Sequence, residues 1–423
     1  MAGCPMLRDS PQLTAPELDR RLPVLLLRTN RYPLHHGTLA AIRSLGRAGV
    51  EVHAILEPGT TPAGTSKYLH RCHGWGPAPH LGTALARYLD RIATRIGRPA
   101  LLLPMDDAGA IYIAENAGTL KAGFVFPAQW PSTPRMVADK ATLLEAAQRN
   151  GIAMPPSRMP ATDAELREAV GALGLPLIAK WARSWLLPPG LRSTLLVTTL
   201  QQAQRLLARA HDPANQAAGP LILQRRIPPA GGDWFFHGYF DGSSRCLFGG
   251  TGRKHVARPA DAGHTVAGEW VVNPRLERLA HEIVCTLGYT GVVDLDFRLD
   301  AQDDVEDDAE DEGTYHLLDF NPRLGAQFRL FHDRQSLDLV RALHLHQSGR
   351  RIPRPRPAPG RTLIVENHYA LGSFTRPLTK IRRGRQADEL AWWAADDPRP
   401  FFVMGKLSLA GALTRARPGR RRR

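Results

Sequence analysis

Short apolar runs alternate with helix-like segments over the first third of the chain, and this order limits the fold more than any other feature. Residues 24–27 and 50–56 are strand-like, and residues 37–48 between them have the periodicity of a helix. A helix at residues 81–96 and an apolar run at residues 100–103 repeat the pattern. Strands and helices in this order favour a parallel βαβ sheet, so this part is predicted to be α/β.

Polar residues follow two of these strands. Residues 28–30 and 104–107 lie at predicted carboxyl ends, where ligands of parallel sheets bind. They are either the edges of a substrate site or ordinary polar loops. His35 and His36 precede a predicted helix, where they could meet an anion or cap the helix locally.

From residue 134 the pattern changes to short helices and antiparallel strands. Asp139 and Lys140 open a predicted helix, and residues 163–173 form another. The dipeptide Asp241-Gly242 between two apolar runs predicts a β-hairpin. The middle of the chain is therefore predicted to be α+β.

Two acidic strand-like segments, residues 293–298 and 317–323, offer a candidate metal site. Side chains alternate along a strand, so a hairpin of the two segments would bring Asp296, Asp319 and Asn321 together. Oxygen donors of this kind bind Mg²⁺, usually with the phosphates of a nucleotide. The alternative is an edge hairpin with solvated acids.

The residues around this hairpin extend the prediction. Arg323 lies just past the ligands, at the end of the second segment, and could hold a phosphate or a carboxylate in a fork. Residues 303–312, between the two segments, contain eight acidic residues in ten. So many like charges cannot pack, so an exposed, mobile loop is predicted there.

Five segments occur in order along the chain, at residues 139–140, 178–180, 221–228, 294–298 and 318–323. Together they resemble the successive motifs of ATP-grasp enzymes, and the resemblance extends over residues 23–345. Among these enzymes the sequence is most similar to carboxylate-amine ligases, including D-aspartate ligase and the large chain of carbamoyl phosphate synthetase. The resemblance implies an N-terminal parallel βαβ domain followed by a two-lobed ATP-grasp fold. It also implies ATP between the lobes and Mg²⁺, with Mn²⁺ as an alternative, on the phosphates.

The resemblance assigns a nucleotide-binding set and a metal set. Lys140 and Lys180 would meet the α- and β-phosphates, residues 224–227 the adenine, and Asp233 the ribose. The implied metal ligands are Asp296, Asp319 and Asn321. The full nucleotide-binding set is Lys140, Lys180, Gln224, Arg225, Arg226, Ile227 and Asp233.

Three basic residues form the implied catalytic set. Arg323 would steady the acyl phosphate or the incoming carboxylate, and Arg253 and Lys254 would bring charge toward the γ-phosphate. Arg253 and Lys254 lie in a glycine-rich stretch, residues 249–255, whose alternative interpretation is a plain loop.

Two positions depart from the family pattern. The metal carboxylates, usually glutamates, are the shorter Asp296 and Asp319, and the loop at residues 181–190 lacks the usual glycines. Phosphate contacts from that loop would have to come from Arg183 or Ser184 instead of backbone amides.

The motifs, together with the glycine and proline residues that separate predicted elements, predict the domain limits. A basic appendage would follow the last motif, with a strand at residues 362–369, helical character at residues 387–393 and an aromatic-rich stretch at residues 398–403. The predicted parts are a disordered N-terminus, 1–22; an α/β domain, 23–133; an ATP-grasp domain, 134–349, with a small lobe, 134–226, and a large lobe, 227–349; and the appendage and tail, 350–423.

The formal charge of +15 suggests binding to nucleic acid, but many of the arginines lie late in the chain, which weakens that interpretation. A basic tail attracts polyanions without selecting among them, so no specific nucleic acid is expected. The sequence lacks an apolar run of about 18 residues, so no membrane span is predicted. The lack of a CxxC pair and of a signal-like N-terminus favours the cytoplasm. A homodimer is one option for assembly.

The function implied by the resemblance is an ATP-dependent carboxylate-amine ligase. Its substrates would be a small-molecule carboxylate and an amine, joined through an acyl phosphate with release of ADP and phosphate. Two alternatives stay open at this level. They are a kinase or phosphotransferase on the same fold, and an inactive protein that binds nucleotide or nucleic acid.

Overall fold

The computed structural model describes residues 15–57, 60–76, 82–188, 190–259, 263–301, 313–368 and 387–416. Within these ranges the strands form three sheets, of five, seven and four strands. The strands are β1 Val24–Leu27, β2 Val52–Ile55, β3 Arg71–His73, β4 Ala100–Pro104, β5 Phe124–Val125, β6 Ser157–Arg158, β7 Leu177–Trp181, β8 Thr194–Val197, β9 Leu221–Arg225, β10 Asp233–Phe240, β11 Cys246–Arg258, β12 His264–Trp270, β13 Gly291–Asp300, β14 Thr314–Asn321, β15 Thr362–Ile364 and β16 Glu389–Leu390. The α-helices are α1 His36–Arg47, α2 Thr83–Ile96, α3 Asp107–Glu115, α4 Ala117–Leu120, α5 Thr133–Ala138, α6 Lys140–Arg149, α7 Asp163–Leu173, α8 Leu200–His211, α9 Pro274–Thr286, α10 Leu339–Gln347 and α11 Arg399–Ala416.

The five-stranded sheet is parallel, with the order β3-β2-β1-β4-β5. All four residues of β1 are buried, because α1 covers one face of the sheet and α2 the other. A parallel strand buried on both faces reads as an uninterrupted apolar run, as this one does. The βαβ prediction for the first domain is confirmed.

Asp106 holds the carboxyl edge of this sheet together. Its carboxylate accepts hydrogen bonds from the backbone N–H groups of Thr29, at 2.6 Å, and Asn30, at 2.8 Å. It also caps α3 by accepting from Gly109 N at 2.9 Å. A side chain with these backbone partners has a structural role, so Asp106 shapes the edge.

The four-stranded sheet is antiparallel, with the order β6-β9-β7-β8. Alternation along β7 turns Leu177 and Ala179 toward a core with α7 and α8, and turns Ile178 and Lys180 to the other face. This sheet lies within residues 134–226, the range predicted for the small lobe, and its uncovered face borders the cleft described below.

The seven-stranded sheet has the order β14-β13-β10-β11-β12-β15-β16. One face packs against α6 and α9 in a core that includes Phe236, Leu295 and Leu317. The predicted acidic hairpin is present as the antiparallel pair β13 and β14. Residues 303–312, predicted to form an exposed loop, lie outside the described residues.

Strand β11 runs through the glycine-rich stretch for which a loop was the alternative. A Cβ atom on Gly252 would lie 2.4 Å from the ring of Phe235, and one on Gly250 would lie 2.7 Å from Phe331. Glycine inside a strand commonly marks such a close approach. The loop interpretation is therefore wrong, and Lys254 takes its direction from the sheet.

The two ends of the described chain differ from the sequence expectation. Leu18 is 1% exposed and Leu22 packs against the same core, so the segment around residues 18–22 is ordered and not disordered as expected. Residues 387–393, expected to be helical, contain strand β16, which with β15 extends the large sheet. The aromatic stretch begins α11. The end of the basic tail, residues 417–423, and residues 1–14 lie outside the described residues.

A buried ion pair fastens this C-terminal part to the first domain. Arg43 Nε lies 3.0 Å from Asp397 Oδ2, and both side chains are under 5% exposed. Through this pair, the described residues 387–416 pack against the first domain. None of the described helices combines the length and the apolar character that a membrane crossing requires.

Candidate active site

A cleft of about 580 Å³, which includes space open to solvent, lies between the four-stranded and seven-stranded sheets. It brings together residues from both predicted lobes, including most of the predicted nucleotide-binding set. The lining residues are Pro155, Ile178, Lys180, Thr194, Gln224, Arg225, Ile227, Asp233, Lys254, Gly263, Asp296, Arg298, Leu318 and Asp319.

Three carboxylates and one amide share a single face of the β13–β14 hairpin. Asp296 pairs directly with Asp319, and Asp294 pairs with Asn321. Residues directly opposite in an antiparallel pair point to the same face, as do residues two apart in one strand. Asn321 Nδ2 also donates to the backbone oxygen of Asp294 at 3.2 Å. The structure therefore brings the three predicted metal ligands together and adds Asp294.

Two lysines from distant elements converge on Asp319. Lys140 Nζ lies 2.5 Å from Asp319 Oδ1, and Lys180 Nζ lies 3.6 Å from the same oxygen. Asp139 fixes Lys140 at the first position of α6, because its side chain accepts from Ala141 N and caps the helix. Lys180 also donates to the backbone oxygen of Leu318 at 2.7 Å.

The lysines decide the ionisation of this cluster. Burial raises the pKa of Asp319, but Lys140 and Lys180 outweigh burial and bring it down to about 2. Burial lowers the pKa of Lys180 despite the neighbouring Asp319. Asp319 is therefore an anion at neutral pH, with positive charge gathered around it.

Lys254 makes a second pair of this kind with Asp296. Its Nζ lies 2.5 Å from Asp296 Oδ1. Burial raises the pKa of Asp296, and Asp294 and Asp319 add to the rise, while Lys254 opposes it. Carboxylates crowded in this way repel one another, and a cation between them relieves the repulsion.

Arg253, predicted beside Lys254, is not brought into the cluster. It pairs with Trp234 across the sheet, and its guanidinium lies 5.4 Å from the centre of the indole ring. Neighbouring residues of a strand point to opposite faces, so Lys254 faces the cleft and Arg253 does not.

Arg323 connects the carboxylate face to the first domain. Its Nη1 lies 2.6 Å from Asp294 Oδ2, and its Nε lies 3.5 Å from Asp107 Oδ1. His237 Nε2 lies 3.3 Å from Asp294 Oδ1, and burial lowers the pKa of His237 to about 4. Burial also raises the pKa of Asp107. The predicted catalytic arginine thus has carboxylate partners from two domains.

Gly325 allows the chain after Arg323 to cross close to these groups. A Cβ atom at this position would lie 2.1 Å from His237 Cε1 and 2.6 Å from Asp294 Cγ. Both contacts are closer than packed atoms allow, so a larger residue would displace either this segment or the side chains of His237 and Asp294, the second of which pairs with Arg323.

The predicted adenine segment lies at the other end of the cleft. Gln224, Arg225 and Ile227 line it, whereas Arg226 lies outside the lining. Gln224 is held by its donation to Ser157 Oγ at 3.1 Å.

Asp233, predicted to bind the ribose, is oriented by an arginine. Arg298 Nε lies 2.6 Å from Asp233 Oδ1, and Arg298 Nη1 donates to the backbone oxygen of Ile227 at 3.1 Å. Arg298 thereby connects Asp233 to the segment predicted to bind adenine.

Sequence reasoning did not assign roles to His237, Arg298 and Asp294. Alternate residues of a strand face the same side, so His237 lies on the face of Asp233 in β10, and Asp294 and Arg298 lie on the face of Asp296 in β13. This alternation is the sequence signal that places all three on the cleft side.

The loop at residues 181–190, predicted to meet phosphates, also differs from expectation. Arg183 Nε lies 2.8 Å from Asp139 Oδ2, so its guanidinium is engaged at the start of α6.

The donor set fits a hard divalent cation. Mg²⁺ takes oxygen ligands in octahedral geometry, usually one or two carboxylates together with substrate phosphates. Asp296 and Asp319 lie directly opposite each other. Opposed residues of an antiparallel pair have Cα atoms roughly 4.5 to 5.5 Å apart, which suits two short carboxylates to one ion.

Solved structures share this architecture. Biotin carboxylase from Campylobacter jejuni, in a complex titled with β-γ-ATP, aligns over 78% of this chain and 72% of its own, with TM-score 0.56 and 16% identity. The biotin carboxylase domain of 2-oxoglutarate carboxylase from Hydrogenobacter thermophilus, in a complex with MgADP, ADP and bicarbonate, aligns over 80% and 73%, with TM-score 0.56 and 16% identity. Carboxyaminoimidazole ribonucleotide synthase from Aspergillus clavatus, complexed with ATP, aligns over 81% and 80%, with TM-score 0.57 and 14% identity.

These similarities confirm the fold that the sequence motifs predicted. The chain has an N-terminal parallel α/β domain followed by the ATP-grasp fold. No protein family and no curated protein matches the chain by sequence.

Proposed function

We propose that this protein is an ATP-dependent ligase that joins a carboxylate to an amine. The observation that supports the proposal most is the convergence of Lys140, Lys180 and Lys254 on Asp319 and Asp296. Ammonium groups next to metal-type carboxylates, in a cleft between two lobes, provide what a nucleotide triphosphate and its cation require. The solved structures with the same fold include complexes with ATP or MgADP.

Adenine and ribose would occupy the end of the cleft formed by β9 and β10. Ile178, Ile227 and Leu318 offer apolar surface for the faces of the purine. The backbone around Arg225 and Ile227 offers hydrogen-bonding groups for its edge. Asp233, oriented by Arg298, would accept from the ribose hydroxyls.

The carboxylates of Asp296 and Asp319, with the amide oxygen of Asn321, would hold Mg²⁺ or Mn²⁺. When bound, the ion would neutralise charge on the β- and γ-phosphates. The lysines that now pair with these carboxylates would then turn to phosphate oxygens. Lys140 and Lys180 reach the same oxygen of Asp319, so both ammonium groups lie within a short movement of that position.

Arg323 would position the carboxylate substrate. Its ion pairs with Asp294 and Asp107 fix the guanidinium between the first domain and the metal-type carboxylates. A carboxylate oxygen attacks the γ-phosphorus, and the bond from that phosphorus to the β-phosphate oxygen breaks, which yields an acyl phosphate and ADP. An amine then attacks the acyl carbon, phosphate leaves, and the amine loses a proton as the amide forms. Positioning and charge neutralisation account for most of such catalysis.

The test is ADP and phosphate release by the purified protein with amino acids and other small carboxylates, each with and without an amine. A ligase releases ADP and phosphate only when both substrates are present. Release of ADP with a carboxylate or alcohol alone, with the phosphoryl group retained on that substrate, would show a phosphotransferase. No turnover together with tight nucleotide binding would show an inactive nucleotide-binding protein.

A further inference from the structure

A second group of metal-type ligands lies at the amino edge of the five-stranded sheet. Glu51 precedes β2, His53 is in β2, and His70 precedes β3. Asp107, the residue of this domain that pairs with Arg323, instead follows the carboxyl end of β4. A four-residue strand spans about 13 Å, so this group is separate from the nucleotide cleft.

The three side chains point their ligand atoms at one position. Glu51 Oε1 lies 2.8 Å from His53 Nε2 and 3.7 Å from His70 Nε2. The three ligand atoms all lie within 4.8 Å of one another. A tetrahedral Zn²⁺ with bonds near 2.1 Å places its ligand atoms about 3.4 Å apart, so small side-chain rotations suffice.

Outer contacts hold two of these ligands in place. His53 Nδ1 lies 3.0 Å from His73 Nε2, and Arg98 Nη2 lies 2.7 Å from Glu51 Oε2. A metal-bound imidazole usually donates its second N–H to a neighbouring acceptor, and a metal-bound carboxylate is usually hydrogen-bonded as well. His73 can accept from His53, and Arg98 engages the carboxylate oxygen that faces away from the imidazoles.

Burial distinguishes an inner and an outer side of the group. The side chain of His53 is 3% exposed, whereas that of His70 is 57% exposed. Three protein ligands with one side open to solvent match the coordination of zinc sites that keep a water in the fourth position.

We propose that Glu51, His53 and His70 bind one Zn²⁺ ion. Two imidazoles and one carboxylate suit Zn²⁺ and related transition metals, whereas Mg²⁺ prefers an all-oxygen set such as that of the cleft. The ion would join the start of β2 to the end of the β2–β3 connection. That connection carries Ser66, which donates to Asp397 at 2.6 Å, so the ion would also steady the contact with the C-terminal part.

Zinc titration of the full-length, tag-free protein tests this proposal. The protein is dialysed against EDTA, returned to a buffer with excess Mg²⁺ to occupy the oxygen-rich cleft, and titrated with ZnCl₂ in a calorimeter. We expect one Zn²⁺ per chain with a dissociation constant of roughly 1 μM or below, and a higher temperature of unfolding with Zn²⁺ than without. Co²⁺ in place of Zn²⁺ should give visible absorption bands of a site with fewer than six ligands.

The primary variant is His70→Ala, because this exposed side chain can be removed without opening the core. It should lose the Zn²⁺ site, and Glu51→Gln should weaken it, while His211→Ala, an exposed histidine of α8, and Asp319→Asn in the cleft should retain it. Absence of stoichiometric Zn²⁺ binding, or equal affinity in His70→Ala and the wild type, would show a hydrogen-bonded cluster that takes no ion and would overturn the proposal. Failure of the ligase assay would leave this result unaffected, since the two sites use different residues.

Discussion

Lys140 and Asp319 form an ion pair, with 2.5 Å between Nζ and Oδ1, that joins the first residue of α6 to β14. Lys180 lies 3.6 Å from the same carboxylate oxygen. A metal ion on Asp319 would therefore have to replace two ammonium groups, which have phosphate oxygens as their natural alternative partners. The pair links the two halves of the proposed site.

Lys140→Met should weaken ATP binding. A hydrogen bond between charged groups contributes about 1.5 to 3 kcal/mol, so the Michaelis constant for ATP should rise roughly 10- to 100-fold. Steady-state kinetics with ATP as the varied substrate measures this. Lys121→Met, at an exposed lysine that lines a different cavity, is the matched control. An unchanged Michaelis constant in Lys140→Met would contradict the phosphate assignment.

Gly325→Ala should impair turnover more than stability. The added Cβ would meet His237 and Asp294, so either the segment carrying Arg323 or the Asp294 side chain that holds Arg323 has to move. Displacement of a positioning group by about 1 Å costs roughly 100-fold in rate. Gly171→Ala in α7, where a Cβ would meet nothing within 4 Å, should leave turnover unchanged. Wild-type turnover in Gly325→Ala would show that the position of Arg323 is unimportant.

His35 should make the fold sensitive to acid. It caps α1 by accepting from Thr38 N at 3.1 Å, and burial, together with Arg28 and Arg323, lowers its pKa to about 3. The folded state therefore favours the neutral imidazole, whereas the unfolded chain binds a proton below its ordinary pKa near 6.5. This contribution to stability is complete above pH 6.5 and is lost progressively as the pH falls toward 3.

His35→Asn retains a capping acceptor and removes the titration. Between pH 7 and pH 5, the wild type should lose on the order of 1 to 2 kcal/mol of unfolding free energy relative to His35→Asn. Urea unfolding of both proteins at several pH values measures the difference. If the unfolding free energies of the two proteins changed equally with pH, His35 would not be held neutral by the fold.

Asp397 should be important for stability although it lies far from the cleft. It is 2% exposed and accepts from Arg43, Ser66 and Lys67. Removal of one member of a buried ion pair costs about 3 to 5 kcal/mol, because the other charge stays buried. Asp397→Ala should therefore lower the unfolding free energy by about that amount.

The neighbouring Asp396 provides the control. Its ion pair with Arg47 is exposed, and such pairs contribute about 0 to 1 kcal/mol. The unfolding free energy of Asp396→Asn should lie within about 1 kcal/mol of the wild-type value. A similar loss of unfolding free energy in Asp397→Ala and Asp396→Asn would mean that burial of Asp397 is not the source of its effect.

The parts of the fold that follow from local patterns could be predicted from the sequence. The strands of the first domain and the β13–β14 hairpin depend on apolar runs and alternation, and both are present. The meeting of Lys140 and Asp319 could be inferred only from the order of motifs, because the two residues are joined by packing between elements far apart in the chain.

Features set by long-range packing could not be predicted. The glycines of β11 suggest a loop, because the rings of Phe235 and Phe331 that require them come from β10 and from the turn after residues 328–330. Helix α11 was missed since its apolar residues are not confined to one face. The burial of Leu18 depends on a core assembled from distant elements.

The dependence of ATP binding on Mg²⁺ tests the central claim most directly. ATP is titrated into the wild type and into Asp319→Asn, each with and without Mg²⁺, and the four dissociation constants are compared by calorimetry. If Asp319 holds the cation, Mg²⁺ should tighten ATP binding by the wild type at least roughly tenfold, about 1.4 kcal/mol, and should have little effect on Asp319→Asn. An equal Mg²⁺ effect in both proteins would contradict the assignment of Asp319 as a metal ligand.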